Sequence, residues 1–285
     1  MEPCLYIVAT PIGNLDDMTI RATKTLTDVD VIAAEDTRRA KQLLNHLGVP
    51  KKEVISYFDH VEQAKAPLLI ERLEKEGISM ALISDAGTPC VSDPGYRLVA
   101  EAHRVGIKVV PIPGASALTS LVSGSGLPSD RFLFVGFLPS KDAALKSEVE
   151  SWTGSSASVI FYESTRRLKK ALNVISRVHP DAQVAVGREL TKMHEELRLM
   201  PLEESLEWCE NHETLRGEVA LMLSGFSGHA VDLSQQDMKL EEKLKAALAS
   251  GKRFKEVLKE YKDCGLSRQE LYQLLVSLKE KSNES

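Results

Sequence analysis

An α/β fold in two domains, closed by a small helical domain, is predicted by three features of the sequence. Short apolar runs alternate with amphipathic, charge-dotted stretches as far as Gly225. Two breaks rich in proline, glycine or serine punctuate that region, and beyond the second the strand pattern stops. Continuous apolar strands separated by helices indicate α/β layers on a largely parallel sheet, whose strands are buried on both faces.

The expected strands are Leu5–Ala9, Val31–Ala34, Met80–Ile83, Lys108–Ile112, Phe132–Val135, Ser158–Tyr162, Val184–Val186 and Val219–Leu223. Helical stretches Pro67–Lys75, Tyr96–Arg104, Thr165–Ser176 and Leu202–Cys209 lie between several of them. Pro111-Ile112-Pro113-Gly114 ends a strand with two prolines and a glycine and marks a domain junction. The expected domains are therefore residues 1–113 and 114–228, both α/β, the second closing at Ser224-Gly225-Phe226-Ser227-Gly228. Residues 231–285 read as a small helical domain with helices near 237–249, 253–262 and 267–280. The last is opened by a capping box, Ser267 with Glu270 three residues on.

Charge narrows the function classes. The 285 residues carry 36 Lys+Arg against 41 Asp+Glu, a net −5, which argues against a bulk polyanion binder held by diffuse charge. It leaves open an enzyme that presents a local basic face to RNA. Residues 231–285 hold 11 basic and 10 acidic residues. Lys252, Lys255 and Lys259 share a helix face, with Arg253 and Lys262 nearby, and read either as a phosphate-facing stripe or as the surface of a packing domain. Hydrophobic content of 43% and charged content of 27% are globular values that exclude disorder and collagen-like chains. Cys4, Cys90, Cys209 and Cys264 form no CxxC pair, so a zinc knuckle or disulfide framework has no support and a reducing compartment is the simpler reading. Cys4–Ala9 is too short to span a membrane and lacks the basic start of a signal peptide, so a soluble, cytoplasmic protein is expected.

Ligands in open α/β sheets bind beyond the carboxyl ends of strands, and five polar segments stand there. Thr10-Pro11-Ile12-Gly13-Asn14 follows the first strand and lets backbone approach a ligand closely, though taken alone it reads first as an ordinary turn. Ala34-Glu35-Asp36-Thr37-Arg38-Arg39 follows the second. Asp36 suits a helix N-cap, whereas Arg38 and Arg39 in a first turn point to an anionic partner such as phosphate. The long loop from Ser84-Asp85-Ala86-Gly87-Thr88-Pro89 to Ser92-Asp93-Pro94-Gly95 is the most informative. Ser92 or Asp93 can cap the next helix, while Asp85 beside small residues suits a ribose or amino group. Pro113-Gly114-Ala115-Ser116-Ala117 opens a helix with small residues and reads also as a hinge. The fifth comprises Phe161–Arg167 and Gly187–Glu196, acid–base clusters after strands of the second half that also read as solvated caps.

Several familiar sites are absent. Gly124-Ser125-Gly126 follows a helix and lacks a third glycine at Ser129, so it is no dinucleotide fingerprint, and no GxxxxGK[ST] occurs. His194 sits beside Glu195 and Glu196 without an HExxH pattern, and the other histidines are scattered, so no metal site is expected.

Taken in order, these segments resemble the tetrapyrrole methylase superfamily, the class III S-adenosylmethionine methyltransferases, and most closely its ribosomal RNA branch. The resemblance is carried by Tyr6–Asp17, Ala33–Arg38, Ser84–Pro89 with Ser92–Leu98, Val110–Gly114, Gly126-Leu127-Pro128 with Asp130-Arg131-Phe132, Phe161–Ser164 and Arg188–Lys192. It departs from the family's usual Tyr-His-Glu-His-Asn-Glu at Tyr57–Glu62, and from Glu-Ser-Pro-His-Arg at Glu163–Arg167. It implies two α/β domains with S-adenosylmethionine between them, a homodimer, and 2′-O-methylation of a cytidine in 16S ribosomal RNA of the small subunit. Carried onto this chain, it implies a cofactor pocket of Pro11, Ser84, Asp85, Ala86, Gly87, Ser116, Ala117, Tyr162, Glu163 and Ala220. A ribose hydroxyl is a weak acid, so a general base would help. Asp36 and Glu35 are the candidates, with Glu189 and His194 behind them, and Arg38, Arg39 and Arg188 would hold RNA phosphate. Two other classes fit less well: a methylase acting on a tetrapyrrole precursor, and a non-catalytic RNA-binding assembly module.

Overall fold

The computed structural model describes residues 3–210 and 218–226, and beyond them Leu244, Ala247, Phe254, Val257, Leu258, Tyr261, Leu275 and Leu278. The chain divides into two compact units, Met1–Gly228 and His229–Ser285.

The first unit contains two five-stranded sheets. Strands β1 (Cys4–Val8), β2 (Val31–Ala34), β3 (Glu53–Ser56), β4 (Ser79–Ile83) and β5 (Lys108–Ile112) lie in the order β3-β2-β4-β1-β5, every neighbour parallel. Alternate residues feed two cores. Leu5, Ile7, Val31, Ala33, Met80 and Leu82 pack against helices α3 (Asp59–Glu76) and α4 (Tyr96–Val105). Val8, Ile32, Ala34, Ala81 and Ile83 pack against α1 (Ile20–Asp28) and α2 (Thr37–His46). Both faces are covered, which is why these strands are apolar without interruption.

The second sheet corrects the expectation of largely parallel pairing. Strands β6 (Phe132–Phe137), β7 (Ser158–Ser164), β8 (Gln183–Arg188), β9 (Glu196–Pro201) and β10 (Glu218–Ser224) lie in the order β6-β7-β10-β8-β9. Only β6 and β7 run parallel; β10 is antiparallel to both its neighbours, and β8 and β9 form a hairpin. Strand β10 is covered on both faces, so its apolar run carries no mark of direction. Helix α5 (Ala117–Gly124) covers one face, over Ile160, Ala185, Ala220 and Met222. Helices α6 (Asp142–Ser151), α7 (Thr165–Val178) and α8 (Leu202–Glu210) cover the other, over Phe161, Val184, Val186, Leu221 and Leu223.

All eight expected strands occur, each end within two residues of its expected position, and two more exist. Strand β3 is a half-exposed edge strand. Strand β9 alternates the exposed Leu197 and Leu199 with Glu196, Arg198 and the buried Met200, so it presents no continuous apolar run. In the second unit, Leu244, Ala247, Val257, Leu275 and Leu278 are buried together with Phe254, Leu258 and Tyr261 partly buried against them. The Ser267–Glu270 box and Lys252, Arg253, Lys255, Lys259 and Lys262 lie outside the described residues. Among the described residues no helix is long and apolar enough to cross a membrane.

Candidate active site

The loops after β1, β4 and β5 leave adjacent parallel strands and are stitched to one another. The Thr10 and Gly87 backbones exchange hydrogen bonds at 2.8 and 3.0 Å, and the Thr10 hydroxyl donates to the Ser84 carbonyl at 3.2 Å. Gly87 holds φ at +83°, and a Cβ there would stand 3.3 Å from Ile12. The Thr88 hydroxyl donates to the Ala115 carbonyl at 3.1 Å, tying in the turn before α5. From β2, the Asp36 backbone N–H donates to Asp85 Oδ1 at 3.1 Å, and Arg39 pairs with Asp85 Oδ2 at 3.1 Å. Asp85 therefore fastens the turn after β4 to the start of α2.

Loops of the second sheet close on this group. The Asn14 N–H donates to Thr191 Oγ1 at 3.0 Å, and a Cβ on Gly13 would collide with the Lys192 side chain. Between the two sets of loops lies a cleft of about 650 Å³, within the range of small-molecule and cofactor sites. Its apolar wall includes Ile12, Leu190, Val219 and Ala220; its polar groups include Glu35, Arg39, Asp85, Asp93, Glu189 and Lys192. Backbone strain gathers here. Ser92 and Glu189, both on the cleft, have φ of 64° and 49°, and the nearby Cys90 and Thr191 have 69° each. Non-glycine residues stay in this left-handed region only where their surroundings hold them, a recurrent property of functional sites.

Of the residues expected at a cofactor pocket, Asp85, Ala86, Gly87, Ser116, Ala117, Tyr162 and Ala220 line the cleft. Pro11, Ser84 and Glu163 do not. Pro11 adjoins the lining residue Ile12, and Ser84 is buried behind the turn with its hydroxyl directed at the Gly87 carbonyl. Glu163 follows Tyr162 on β7 and so faces the opposite side of the sheet. There it is buried, pairing with Arg167 at 3.1 Å and accepting from the Ser164 N–H at 2.8 Å.

The acid and base residues separate in the same way. Glu35, Arg39 and Glu189 line the cleft; Asp36, Arg38, Arg188 and His194 do not. Asp36 caps α2, accepting from the Arg38 N–H at 2.7 Å and the Arg39 N–H at 3.4 Å. Those hydrogen bonds, the Arg38 amide's first, hold its carboxyl below the usual carboxylate range. Glu35 goes the other way: burial, then the negative charge of Asp85, pushes its carboxyl above that range. Arg38 projects into solvent, 90% exposed. Arg188 is engaged by Glu196 at 3.1 Å, a carboxylate that also meets Arg198 and the Trp208 indole N–H. Glu189 pairs with Lys192 at 2.9 Å, and His194 is exposed on the β8–β9 turn.

Phe137 lines the cleft as well, and its sequence signal is the glycine before it, since an isolated glycine in a strand pattern marks a bulge. Neither Ser92 nor Asp93 is the N-cap of α4. The N-cap is Gly95, and the carboxylate of Glu62 on α3 accepts from the Gly95 and Arg97 N–H groups at 2.9 Å each. No cluster of three or more His, Cys, Asp or Glu able to hold a metal ion is found among the described residues.

The tetrapyrrole (corrin/porphyrin) methylase family model matches residues 4–205. This chain belongs to the tetrapyrrole methylase family. A ribosomal RNA small subunit methyltransferase I of Mesorhizobium japonicum is 42% identical to it over 285 residues, 100% of this chain and 95% of the relative. A protein of the same name from Halalkalibacterium halodurans is 40% identical over 274 residues, 95% and 93% of the two chains. Among solved structures, the uroporphyrin-III-C-methyltransferase of Thermus thermophilus superposes with a TM-score of 0.55 at 20% identity, covering 80% of this chain and 96% of that one. That likeness concerns the fold alone. In this tetrapyrrole methylase the family match ends before β10, so Val219 and Ala220 join the cleft from outside the matched span.

Proposed function

We propose that this chain transfers a methyl group from S-adenosylmethionine to a cytidine ribose 2′-hydroxyl in 16S ribosomal RNA. The observation that carries the reading is the likeness to the small-subunit methyltransferases, which runs the whole length of the chain and so takes in every loop of the cleft. The cleft suits the donor chemically. Gly87, with its left-handed backbone and Ile12 against it, and the small Ala86, Ser116 and Ala117 let a ligand lie against backbone. Ile12, Leu190, Val219 and Ala220 offer an apolar wall, and Asp85 a carboxylate for an amino or hydroxyl group. When bound, S-adenosylmethionine supplies a methyl group on a sulfonium centre, an electrophile that needs no metal.

The chain's own residues then align the ribose, exclude water and take a proton. Glu35 is the base in this reading. Glu35 lines the cleft, and burial and then the negative charge of Asp85 raise its proton affinity, the direction that serves a general base. Asp36 is structural: its Oδ1 accepts both amide hydrogen bonds at the start of α2, and its proton affinity is reduced. Arg39, held by Asp85 at the cleft edge, and the exposed Arg38 supply positive charge for phosphate. The homodimer implied by the family belongs to the same proposal. The test is transfer of labelled methyl from S-adenosylmethionine to 30S subunits lacking the modification, run beside uroporphyrinogen. Label in 16S RNA and none in the tetrapyrrole is expected; the reverse would overturn the assignment.

A further inference from the structure

Phe137 reaches the cleft by a departure from regular strand geometry. Strand β6 runs beside β7 with Phe132 opposite Ser158, Leu133 opposite Val159 and Phe134 opposite Ile160, and the register then shifts to set Phe137 opposite Tyr162. In unbroken register Gly136 would stand opposite Tyr162, and Phe137 would project from the other face, because strand side chains alternate. The extra residue is a β-bulge, with Gly136 at φ +66°. It turns Phe137 onto the side that Phe134 occupies. The two rings flank Tyr162 edge to face, with centroids 5.0 and 5.8 Å from it and planes inclined by 68° and 66°. A Cβ on Gly136 would come within 3.1 Å of Ser92 Oγ, so the bulge is seated against the loop after β4. Phe137 lines the cleft yet stays 46% exposed. An aromatic ring turned into a polar cleft and left half bare presents a surface that a flat partner would remove from water.

We propose that Phe137, braced by Tyr162, is the platform on which the base of the target nucleotide stacks; this rests on the RNA-methylation reading above and extends it. The chemistry selected is a planar heteroaromatic ring, which both the donor's adenine and an RNA base possess. Burial assigns it to the RNA. Ala220 is buried and Tyr162 half-buried, whereas Phe137 is the more exposed group, covered last by what enters from solvent against a donor already in place. Aromatic stacking tolerates any base, so it fixes where the nucleotide sits without reading its identity.

Phe137→Leu keeps an apolar side chain and removes the flat face, and Phe137→Trp restores one. Two measurements separate the sources: calorimetric binding of S-adenosylhomocysteine, and single-turnover methyl transfer at saturating donor as a function of 30S concentration. The leucine variant should bind S-adenosylhomocysteine within about twofold of the unaltered chain. Its half-saturating 30S concentration should rise at least about fivefold, the lower end of what one stacked base contributes, and tryptophan should recover most of that. Weaker S-adenosylhomocysteine binding with unchanged dependence on 30S would give the platform to the donor's adenine and overturn the proposal. No change in either would also overturn it. Failure of the unaltered chain to methylate 30S subunits is a separate outcome, which removes the underlying reading and the platform with it. Thermal unfolding of both variants identifies any that fail to fold, and the other then carries the comparison.

Discussion

Glu35 and Asp36 are neighbours in sequence with opposite roles in the structure. Strand β2 ends at Ala34, so Glu35 is free to turn into the cleft while Asp36 closes the first turn of α2. Glu35→Gln should slow single-turnover methyl transfer by about 10²-fold or more, the usual worth of a general base, with S-adenosylhomocysteine binding retained. Asp36→Asn keeps a capping oxygen and should act near the unaltered rate; a collapse of the rate in that variant would return the base to Asp36. The pH dependence has a definite sign. The active form of Glu35 is ionised, so the rate falls as pH falls through its raised value. Asp85→Asn removes the like charge and should move that acid limb to lower pH. Stability runs the other way. A carboxyl raised on folding favours the fold below the ordinary carboxylate range, and this contribution is lost as pH rises through the raised value. Glu35→Gln should therefore melt higher than the unaltered chain at about pH 8 and lose the advantage near about pH 4. The capping role of Asp36 was legible in the sequence; that Glu35 meets the cleft was not, because its burial beside Asp85 depends on the turn after β4, 49 residues away from Asp36.

Elements were more legible than residues, for reasons that differ strand by strand. Strands β1, β2 and β4 are buried on both faces and announce themselves as apolar runs. The edge strand β3 is partly exposed, and β9 alternates, so neither does. The direction of β10 was hidden because a central strand looks the same parallel or antiparallel. The α4 cap was hidden because Glu62 reaches it from another helix, 33 residues away from Gly95. That contact predicts a stability effect. Glu62→Ala should leave the Gly95 and Arg97 N–H groups without their acceptor and cost about 1–3 kcal/mol, the usual penalty for an unsatisfied buried donor. Glu62→Gln, which keeps an acceptor, should cost distinctly less. Urea unfolding measures both, and equal losses would mean that the helix does not depend on that hydrogen-bonded oxygen. Gly13 joins the two halves of the cleft in a similar way. Gly13→Ala would drive a methyl group into Lys192 and to within 2.9 Å of Thr191 Oγ1, so donor binding should weaken markedly in calorimetry.

At the scale of the whole molecule, the net charge of −5 shapes how an RNA substrate is chosen. Diffuse attraction is weak for such a chain, and the charge near the cleft is local: Arg38, Arg39 and Lys192 beside Glu35, Asp85 and Glu189. Recognition should then depend on the folded ribosomal particle, with short naked RNA carrying the same sequence methylated far more slowly than 30S subunits. Comparable rates on both would show that local sequence suffices. The central claim, that this cleft methylates a ribose of small-subunit RNA and that Glu35 takes the proton, is tested most directly by one measurement. Undermethylated 30S subunits are incubated with labelled S-adenosylmethionine and either the unaltered chain or the Glu35→Gln variant, and the RNA is digested to nucleosides. Label is expected in 2′-O-methylcytidine with the unaltered chain, and at a rate lower by about 10²-fold or more with the variant. Label on a base, or an undiminished rate in the variant, would contradict it.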